Sequence, residues 1–142
     1  MKYMLIMRSD DSAVEAYKQM PFEKVIEAMG RYNEALIKAG VLIGGDGLTD
    51  ASEGFVVDFS AEPPLVTDGP YGETKELFNG FWILQVATAE EAVEWAKRVP
   101  LGPGSKIEVR RVTELSDFPA DNEWIEKEAQ WRRDAGEDIP AN

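Results

Sequence analysis

Hydrophobic positions recur along this chain with two different periods, and each period predicts a different kind of element. The first apolar run, Tyr3 to Met7, ends in the polar residues 8–11, a pattern typical of a strand that leads into a loop. Between Pro21 and Gly40 the apolar spacing changes to three and four residues, which predicts an amphipathic helix of about five turns. The predicted apolar stripe of this helix comprises Phe22, Val25, Ile26, Met29, Asn33, Leu36 and Ile37.

The middle of the chain predicts three further strands. The segment VLIGGDGL, residues 41–48, is an apolar strand interrupted by glycines, where a bulge or the close approach of a backbone or a ligand is the usual explanation. Residues 54–59 are a second strand candidate and residues 65–66 a short third one. The stretch VTDGPYGETKE, residues 66–76, then separates these strands from the second half of the chain.

The second half repeats the strand, helix and strand of the first half. Residues 80–86 predict a strand, and the capping box of residues 88–91 starts a helix that runs through about Val99. Residues 106–112 alternate between charged and apolar side chains, which predicts the last strand. Two such units around a hairpin-rich insertion indicate an α+β sandwich, an antiparallel sheet with two helices on one face. Large apolar residues on its other face must be shielded from water, and a second copy of the sheet can do this. We therefore expect a homodimer through the sheet face.

The last part of the chain, residues 113–142, differs in charge from the rest. It holds nine acidic and three basic residues, so half of the formal net charge of −12 lies there. Asp121 is a candidate cap for a helix in which Trp124 and Trp131, seven residues apart, share one face. We therefore expect residues 1–112 to form the α+β domain and residues 113–142 an acidic C-terminal helical extension.

Composition narrows the possible functions. A chain of 142 residues with 44% apolar content is long enough to bury a core as one domain. Its net charge of −12 repels phosphate backbones and anionic lipids, so we expect neither nucleic acid nor membrane as partner. Without cysteine and histidine, disulfides, thiolate nucleophiles, Ser–His pairs and the usual zinc or haem ligands are excluded. The first apolar run is too short for a signal peptide or a membrane span, which favours a cytoplasmic protein.

The chain resembles the YCII-related superfamily, and within it the DGPF-domain branch, in the order and spacing of the motifs GGDGL, VTDGPYGETKE, GFWILQV and AEEAVEWAKRVP. The resemblance covers residues 1–112 and implies a ferredoxin-like fold of the dimeric α+β barrel type, as in muconolactone isomerase and the antibiotic-biosynthesis monooxygenases. It brings no known reaction, although members of the branch are often encoded beside extracytoplasmic-function sigma factors. This chain departs from the family in two ways. The resemblance implies a His–Asp pair in the founding members, but this chain has no histidine and so lacks that pair. Tyr71 also occupies the position where the branch has phenylalanine.

The stretch 66–76 holds the main candidate site residues, beside a turn that backbone geometry alone explains. Gly69, Pro70 and Gly72 suit a turn with proline second and glycine fourth. The flanking charges are candidates for chemistry, because a carboxylate can act as a general base and a lysine can stabilise developing negative charge. The candidate catalytic residues are Asp68, Lys75 and Glu76, and the candidate substrate-binding residues are Asp46, Gly47, Gly69, Pro70, Tyr71 and Trp82.

Several of these candidates also have a purely structural interpretation. Asp68 suits an Asx-type cap on the turn that follows it, and Glu73 suits a solvated run of charges. Phe81 and Trp82 alternate across their strand, so one of them faces the helices. The other faces the second side of the sheet, where it either lines a pocket or, as the sequence favours, seals the dimer. Arg8 and Arg31 are the most useful cations nearby, and Arg31 is favoured as a salt-bridge partner only.

Two functions from different classes fit these residues. The first is a small-molecule enzyme without a cofactor, a lyase, isomerase or hydrolase that runs on carboxylates, lysine or tyrosine. The second is a non-catalytic ligand-binding or regulatory module whose acidic extension engages a protein, for example in a sigma-factor system. An oxygen-only Mg²⁺ or Ca²⁺ site of Asp46, Asp68 and Glu76 is a less favoured alternative, and we expect no metal.

Overall fold

The computed structural model describes residues 1–69 and 76–137, and these ranges contain six β-strands and four α-helices. The strands are β1 (Lys2–Ser9), β2 (Leu42–Gly47), β3 (Phe55–Asp58), β4 (Leu65–Asp68), β5 (Leu77–Gln85) and β6 (Ser105–Arg111). The helices are α1 (Asp11–Gln19), α2 (Phe22–Lys38), α3 (Ala89–Lys97) and α4 (Glu123–Asp134). No helix in the described ranges is long and apolar enough to cross a membrane. The chain divides into two compact units, Met1–Arg111 and Val112–Asn142, and α4 belongs to the second.

Four strands form one antiparallel sheet in the order β2-β5-β1-β6. Along the chain, these strands and the helices that join them follow each other as β1-α2-β2-β5-α3-β6, which is the ferredoxin-like arrangement. Strands β3 and β4 are inserted between β2 and β5, and they pair with each other as a separate two-stranded sheet. The α+β class predicted from the sequence is therefore confirmed.

The core of the first unit lies on the side of the sheet that carries α2 and α3. Leu5 of β1, Leu36 of α2 and Leu84 of β5 are fully buried, and burying one such side chain contributes about 1.5–3 kcal/mol. The other buried members of this core are Tyr3, Tyr32, Val41, Trp82, Val86, Ala92 and Val99. Because the sheet and both helices contribute to it, burial of these side chains holds the helices on the sheet.

Trp82 is tied into this core by a hydrogen bond and an aromatic contact. Its indole Nε1 donates to Asn33 Oδ1 at 2.8 Å, and the ring of Tyr32 meets it edge to face at a centroid distance of 5.3 Å. The Tyr32 hydroxyl donates in turn to the Trp95 carbonyl at 3.0 Å, and burial raises the pKa of Tyr32 to about 12. Helices α2 and α3 are thus linked to β5 by one polar and aromatic network.

The apolar stripe predicted for α2 is wider than the face that the sheet covers. Val25, Tyr32 and Leu36 are buried, and at 100° per residue they lie within a narrow arc of the helix. Three predicted stripe residues lie beside this arc and remain exposed, namely Phe22 (72%), Ile26 (54%) and Ile37 (63%). The spacing of apolar residues therefore identified the helix and part of its core-facing side, including Val25 and Leu36, but placed the stripe too wide.

The predicted starts of the two later helices are only partly correct. Thr88 Oγ1 accepts a hydrogen bond from the Glu91 backbone N–H at 3.1 Å, as the capping box requires. The Glu91 carboxylate, however, accepts from the N–H of Ala87, one residue earlier than in the usual box. Asn122, and not Asp121, caps α4, because its Oδ1 accepts from the Trp124 N–H.

Asp50 caps the short 3₁₀ turn of residues 51–53, between β2 and β3. Its carboxylate accepts hydrogen bonds from the backbone N–H and the hydroxyl of Ser52, at 3.0 and 2.8 Å, and lies 3.3 Å from Lys18 Nζ on α1. The Ser52 hydrogen bonds, with Lys18 as a smaller contribution, lower the pKa of Asp50 to about 2.

Replacing Asp50 with asparagine is expected to lower Tm near neutral pH, with a loss that disappears in acid. A carboxylate whose pKa is depressed in the folded state stabilises the fold above its unfolded pKa of 3.8 and loses this effect as pH falls towards 2. The measurement compares Tm of wild type and Asp50→Asn at pH 6 and pH 2, with Lys18→Gln isolating the smaller ionic contribution. A difference in Tm that is the same at both pH values would contradict this assignment.

Candidate functional site

One face of the four-stranded sheet is turned away from the helices. Leu5 belongs to the core, so its neighbours Met4 and Ile6 on β1 point to the opposite face. On β5, Ile83 lies opposite Met4 and Phe81 lies opposite Ile6, and directly opposed residues of antiparallel strands share a face. We call this side of the sheet the open face.

Two phenylalanine rings stack on the open face near the start of β5. The register of β1 and β5 shifts between Met7 and Arg8, so that Phe78 lies opposite Arg8 while Gly80 lies opposite Met7. This irregularity puts Phe78 and Phe81 on the same face, with ring centroids 6.2 Å apart and an interplanar angle of 13°. Phe78 is 40% exposed, so the pair offers an apolar surface to whatever lies on the open face.

Charged side chains lie beside these rings, across β1 and β6. Glu76, immediately before β5, forms an ion pair with Lys106 of β6, and the contact crosses the end of β1 because β1 lies between the two strands. Arg8 Nη1 lies 3.3 Å from Glu108 Oε2, and Arg110 Nε lies 3.5 Å from Glu108 Oε1. We call these five residues the charged cluster.

The charged cluster presents its cations to solvent more than its carboxylates. The side chains of Lys106 and Arg110 are each 70% exposed, whereas those of Glu76 and Glu108 are 29% and 31% exposed. Three cations against two carboxylates give the cluster a formal charge of +1 in a chain whose net charge is −12. An anionic or polar group that approaches the open face therefore meets exposed ammonium and guanidinium groups first.

The glycines of β2 have different structural roles. A Cβ atom on Gly45 would meet the carbonyl oxygen of Phe81 at 2.6 Å and Trp82 Cδ1 at 3.1 Å, so β5 approaches this position too closely for a side chain. A Cβ atom on Gly47 would meet nothing within 4 Å. Asp46, between them, is exposed and lies opposite Phe81, which puts its carboxylate on the open face at the β2 edge.

Asp68 and Gly69 lie at the end of the β3–β4 hairpin. Asp68 is exposed and lies opposite Phe55, and it forms no hydrogen bond or ion pair with another residue in the described part of the chain. Gly69 has a φ of +81°, and its backbone N–H donates to the Gly54 carbonyl at 2.8 Å. This hydrogen bond joins the two strands at the end of the hairpin opposite its loop. This left-handed conformation explains the glycine without a ligand.

Comparison with known proteins identifies the family. The YCII-related domain matches residues 1–116 of the chain. The protein belongs to this family. An uncharacterized protein of Rhizobium meliloti (strain 1021) is 28% identical over 97 residues, which are 68% of this chain and 78% of that protein.

The structure of this YCII-related protein brings only some of the predicted site residues together. Glu76 belongs to the charged cluster, and Asp46 lies on the same open face at the other edge of the sheet. Trp82 is 8% exposed and points to the helix side, so we assign it to the core and not to the site. The predicted residues Pro70, Tyr71 and Lys75 lie outside the described residues.

Sequence reasoning missed Lys106 as the partner of Glu76. The alternation along residues 106–112 put Lys106 on the polar side of its strand, but only the order of the strands brings it next to Glu76.

Arg31 was correctly interpreted as a salt-bridge partner, because its guanidinium binds Glu27 on the same helix at 2.6 Å. Within residues 1–69 and 76–137, no group of three or more carboxylates could hold a metal ion.

A groove of about 540 Å³ lies elsewhere on the YCII-related domain, between α3 and the edge strand β6. It is lined mostly by apolar side chains, with Val93, Val99 and Val109 among them. Lys106 is the residue it shares with the charged cluster. None of the described residues that line the groove is a carboxylate, whereas the charged cluster combines carboxylate proton acceptors with cations.

Proposed function

We propose that this YCII-related protein binds a small polar organic molecule at the charged cluster and converts it without a cofactor. The observation that carries the proposal is the pairing of Glu76 with Lys106 beside the stacked rings of Phe78 and Phe81. A carboxylate, an ammonium group and an apolar surface then lie within reach of one ligand. A few convergent polar groups on an apolar wall are the usual composition of a small-molecule site.

The reaction class follows from these functional groups. Glu76 or Asp68 would accept a proton from the substrate, and Lys75 or Tyr71 would donate one or stabilise negative charge. Lys106 and Arg8 would add positive charge where an oxyanion develops. A lyase, an isomerase or a hydrolase acting on a small oxygenated substrate uses such steps.

The remaining predicted residues would complete the binding site. Gly69, Pro70 and Tyr71 precede Glu76 in the sequence and would contribute to binding the substrate. Asp46 and Gly47 would contact it from the β2 edge of the open face, where Gly47 leaves space for a ligand. We also assign the chain to the DGPF-domain branch, on the residues Asp68, Gly69 and Pro70 with Tyr71 in fourth place.

We further propose that two copies associate through their open faces. Phe78 is 40% exposed, and Met4, Phe81 and Ile83 are only half-buried on this face. A sheet with one face covered by helices and large apolar side chains on the other is stabilised when a second sheet covers them. The two charged clusters would then border the interface.

A thermal-shift screen against a library of small organic acids, esters and lactones tests the proposed site. We expect a ligand that raises Tm of wild type by several degrees and does so much less for Glu76→Gln and Asp68→Asn. Glu94→Gln is the matched control, since Glu94 forms an exposed ion pair with Lys97 on α3. A ligand that stabilises all four proteins equally would contradict binding at the cluster, and turnover assays on hits that pass this test decide the reaction.

A regulatory module is the second candidate function, and one feature of α4 favours it. Trp124 and Trp131 are 61% and 56% exposed, more than such side chains usually are in a folded domain. An exposed tryptophan pair on an acidic helix suits docking to a protein partner. If the module interpretation is correct, the library gives no ligand that depends on Glu76, and no turnover is found.

A further inference from the structure

The β3–β4 hairpin carries a large apolar surface that remains exposed in the described part of the chain. Phe55 and Val57 alternate onto one face of β3 and are 71% and 48% exposed, and Phe59, just after the strand, is 80% exposed. Val66 lies opposite Val57 on β4 and is 59% exposed. We call this surface, made of Phe55, Val57, Phe59 and Val66, the hairpin face.

A two-stranded hairpin is marginally stable in water unless another layer packs on it. Among the described strands, β3 and β4 pair with each other and not with the four-stranded sheet. Four large apolar side chains on one face of such a ribbon form a patch of the kind that marks an interaction surface. The hairpin face therefore requires a partner layer.

The charges around the hairpin indicate what kind of surface that partner presents. Residues 50–68 contain five acidic and no basic side chains. Asp68 shares the hairpin face, since it lies directly opposite Phe55 in the ladder. The charged cluster beside Phe78 on the open face is the complement of this surface, because it combines exposed cations with an apolar aromatic wall.

The size of the patch also agrees with an interface between two copies. Two phenylalanines exposed to more than two thirds, with two half-exposed valines, supply on the order of 400 Å² for burial. A stable interface takes about 800 Å² from each partner. The hairpin face supplies about half of this area, and the apolar residues of the open face are available for the rest.

We propose that the hairpin face of each protomer packs on the open face of a second copy, so that Asp68 of one protomer reaches the charged cluster of the other. The interface is then isologous, with two identical hairpin contacts. Each site is shared, with Glu76 and Lys106 from one chain and Asp68 from its partner. This inference rests on the proposed function, and it explains why Asp68 has no polar partner in the described part of its own chain.

Sedimentation equilibrium of full-length variants tests the apolar half of this interface. We expect wild type to be a dimer and Phe55→Ser/Phe59→Ser to dissociate with a Kd at least about 100-fold higher. Phe22→Ser is the matched control, because Phe22 is 72% exposed on α2, and it should leave the Kd unchanged. All substituted side chains are exposed, so circular dichroism should show unchanged secondary structure in each variant.

A charge exchange tests the position of Asp68. Asp68→Lys and Lys106→Glu should each weaken the dimer about tenfold, and an equimolar mixture of the two variants should recover it as a heterodimer. Recovery is expected because both contacts of the mixed dimer then pair opposite charges. If the mixture of the two variants dimerises as weakly as each variant alone, the shared site is overturned.

The outcomes separate this inference from the proposed function. A dimer that survives Phe55→Ser/Phe59→Ser overturns the hairpin contact but leaves association through the open faces intact. A wild type that is monomeric overturns both modes of association, while the thermal-shift screen still decides whether ligands bind at Glu76. Dissociation by the hairpin variants and recovery in the charge exchange together establish the shared site.

Discussion

Replacing Trp82 with alanine is expected to reduce the free energy of unfolding by about 3–5 kcal/mol. The substitution removes a ring that is 8% exposed, its edge-to-face contact with Tyr32 and the hydrogen bond to Asn33. The cavity would form where β5 meets α2, and Asn33 would lose a partner for its side-chain oxygen. Urea unfolding followed by circular dichroism measures the loss.

Two further variants separate the role of Trp82 in the core from a role in binding. Trp82→Phe keeps most of the volume and removes the hydrogen bond, so a loss of about 1–3 kcal/mol is expected. Phe81→Ala changes the neighbouring residue on the open face, which is only half-buried, and should cost less than Trp82→Ala. A Trp82→Ala protein as stable as wild type would show that Trp82 is not a core residue.

Replacing Gly45 with alanine is expected to be the second most damaging change, with a loss of about 1–3 kcal/mol. The new Cβ atom would lie 2.6 Å from the Phe81 carbonyl oxygen, and a backbone atom in a paired strand cannot move away as a flexible side chain can. Separation of β2 from β5 at this point would relieve the clash and weaken the ladder. Urea unfolding of Gly45→Ala measures this cost.

The other two glycines of the segment are the controls. A Cβ atom on Gly44 or on Gly47 would meet nothing within 4 Å, so Gly44→Ala and Gly47→Ala should each change stability by less than about 1 kcal/mol. Gly47→Ala should instead weaken ligand binding if a substrate occupies the space beside it. Equal losses of stability for all three variants would contradict the distinction between a packing glycine and an open one.

Much of the fold was accessible from the sequence because local patterns encode it directly. Neighbouring residues alone predicted strand β1 from its apolar run, β6 from its alternation, α2 from its helical spacing and β2 as a strand interrupted by glycines. The bulge expected in β2 is present, as a shift of register between Leu42 and Gly44. Only a small set of topologies connects such elements, and the ferredoxin-like one is among them.

The side of the sheet that a strand residue faces was harder to predict, because the residues next to it in the sequence do not determine it. Phe81 and Trp82 are consecutive, large and apolar, and alternation states only that they face opposite sides. The contacts with Tyr32 and Asn33 decide that Trp82 faces the helices. A side chain that looked suitable for binding thus became part of the core once the helix positions were known.

The candidate site depended on long-range pairing, which sequence patterns do not report. Glu76 and Lys106 are 30 residues apart, and they meet because β5 and β6 flank β1. The glycines and charges of the stretch 66–76 made Glu76 a candidate site residue but gave no partner for it. Asp68 stays a predicted site residue, for which we propose a role at the charged cluster of a second copy of the chain.

Mapping of backbone amide chemical shifts with a hit from the library shows whether the ligand binds at the charged cluster. If the ligand binds at the charged cluster, the largest shifts will lie at Arg8, Glu76 and the start of β5, and they will be lost in Glu76→Gln. If the largest shifts instead lie at Val93 and Val99, the ligand binds in the groove between α3 and β6. That result would contradict binding at the charged cluster.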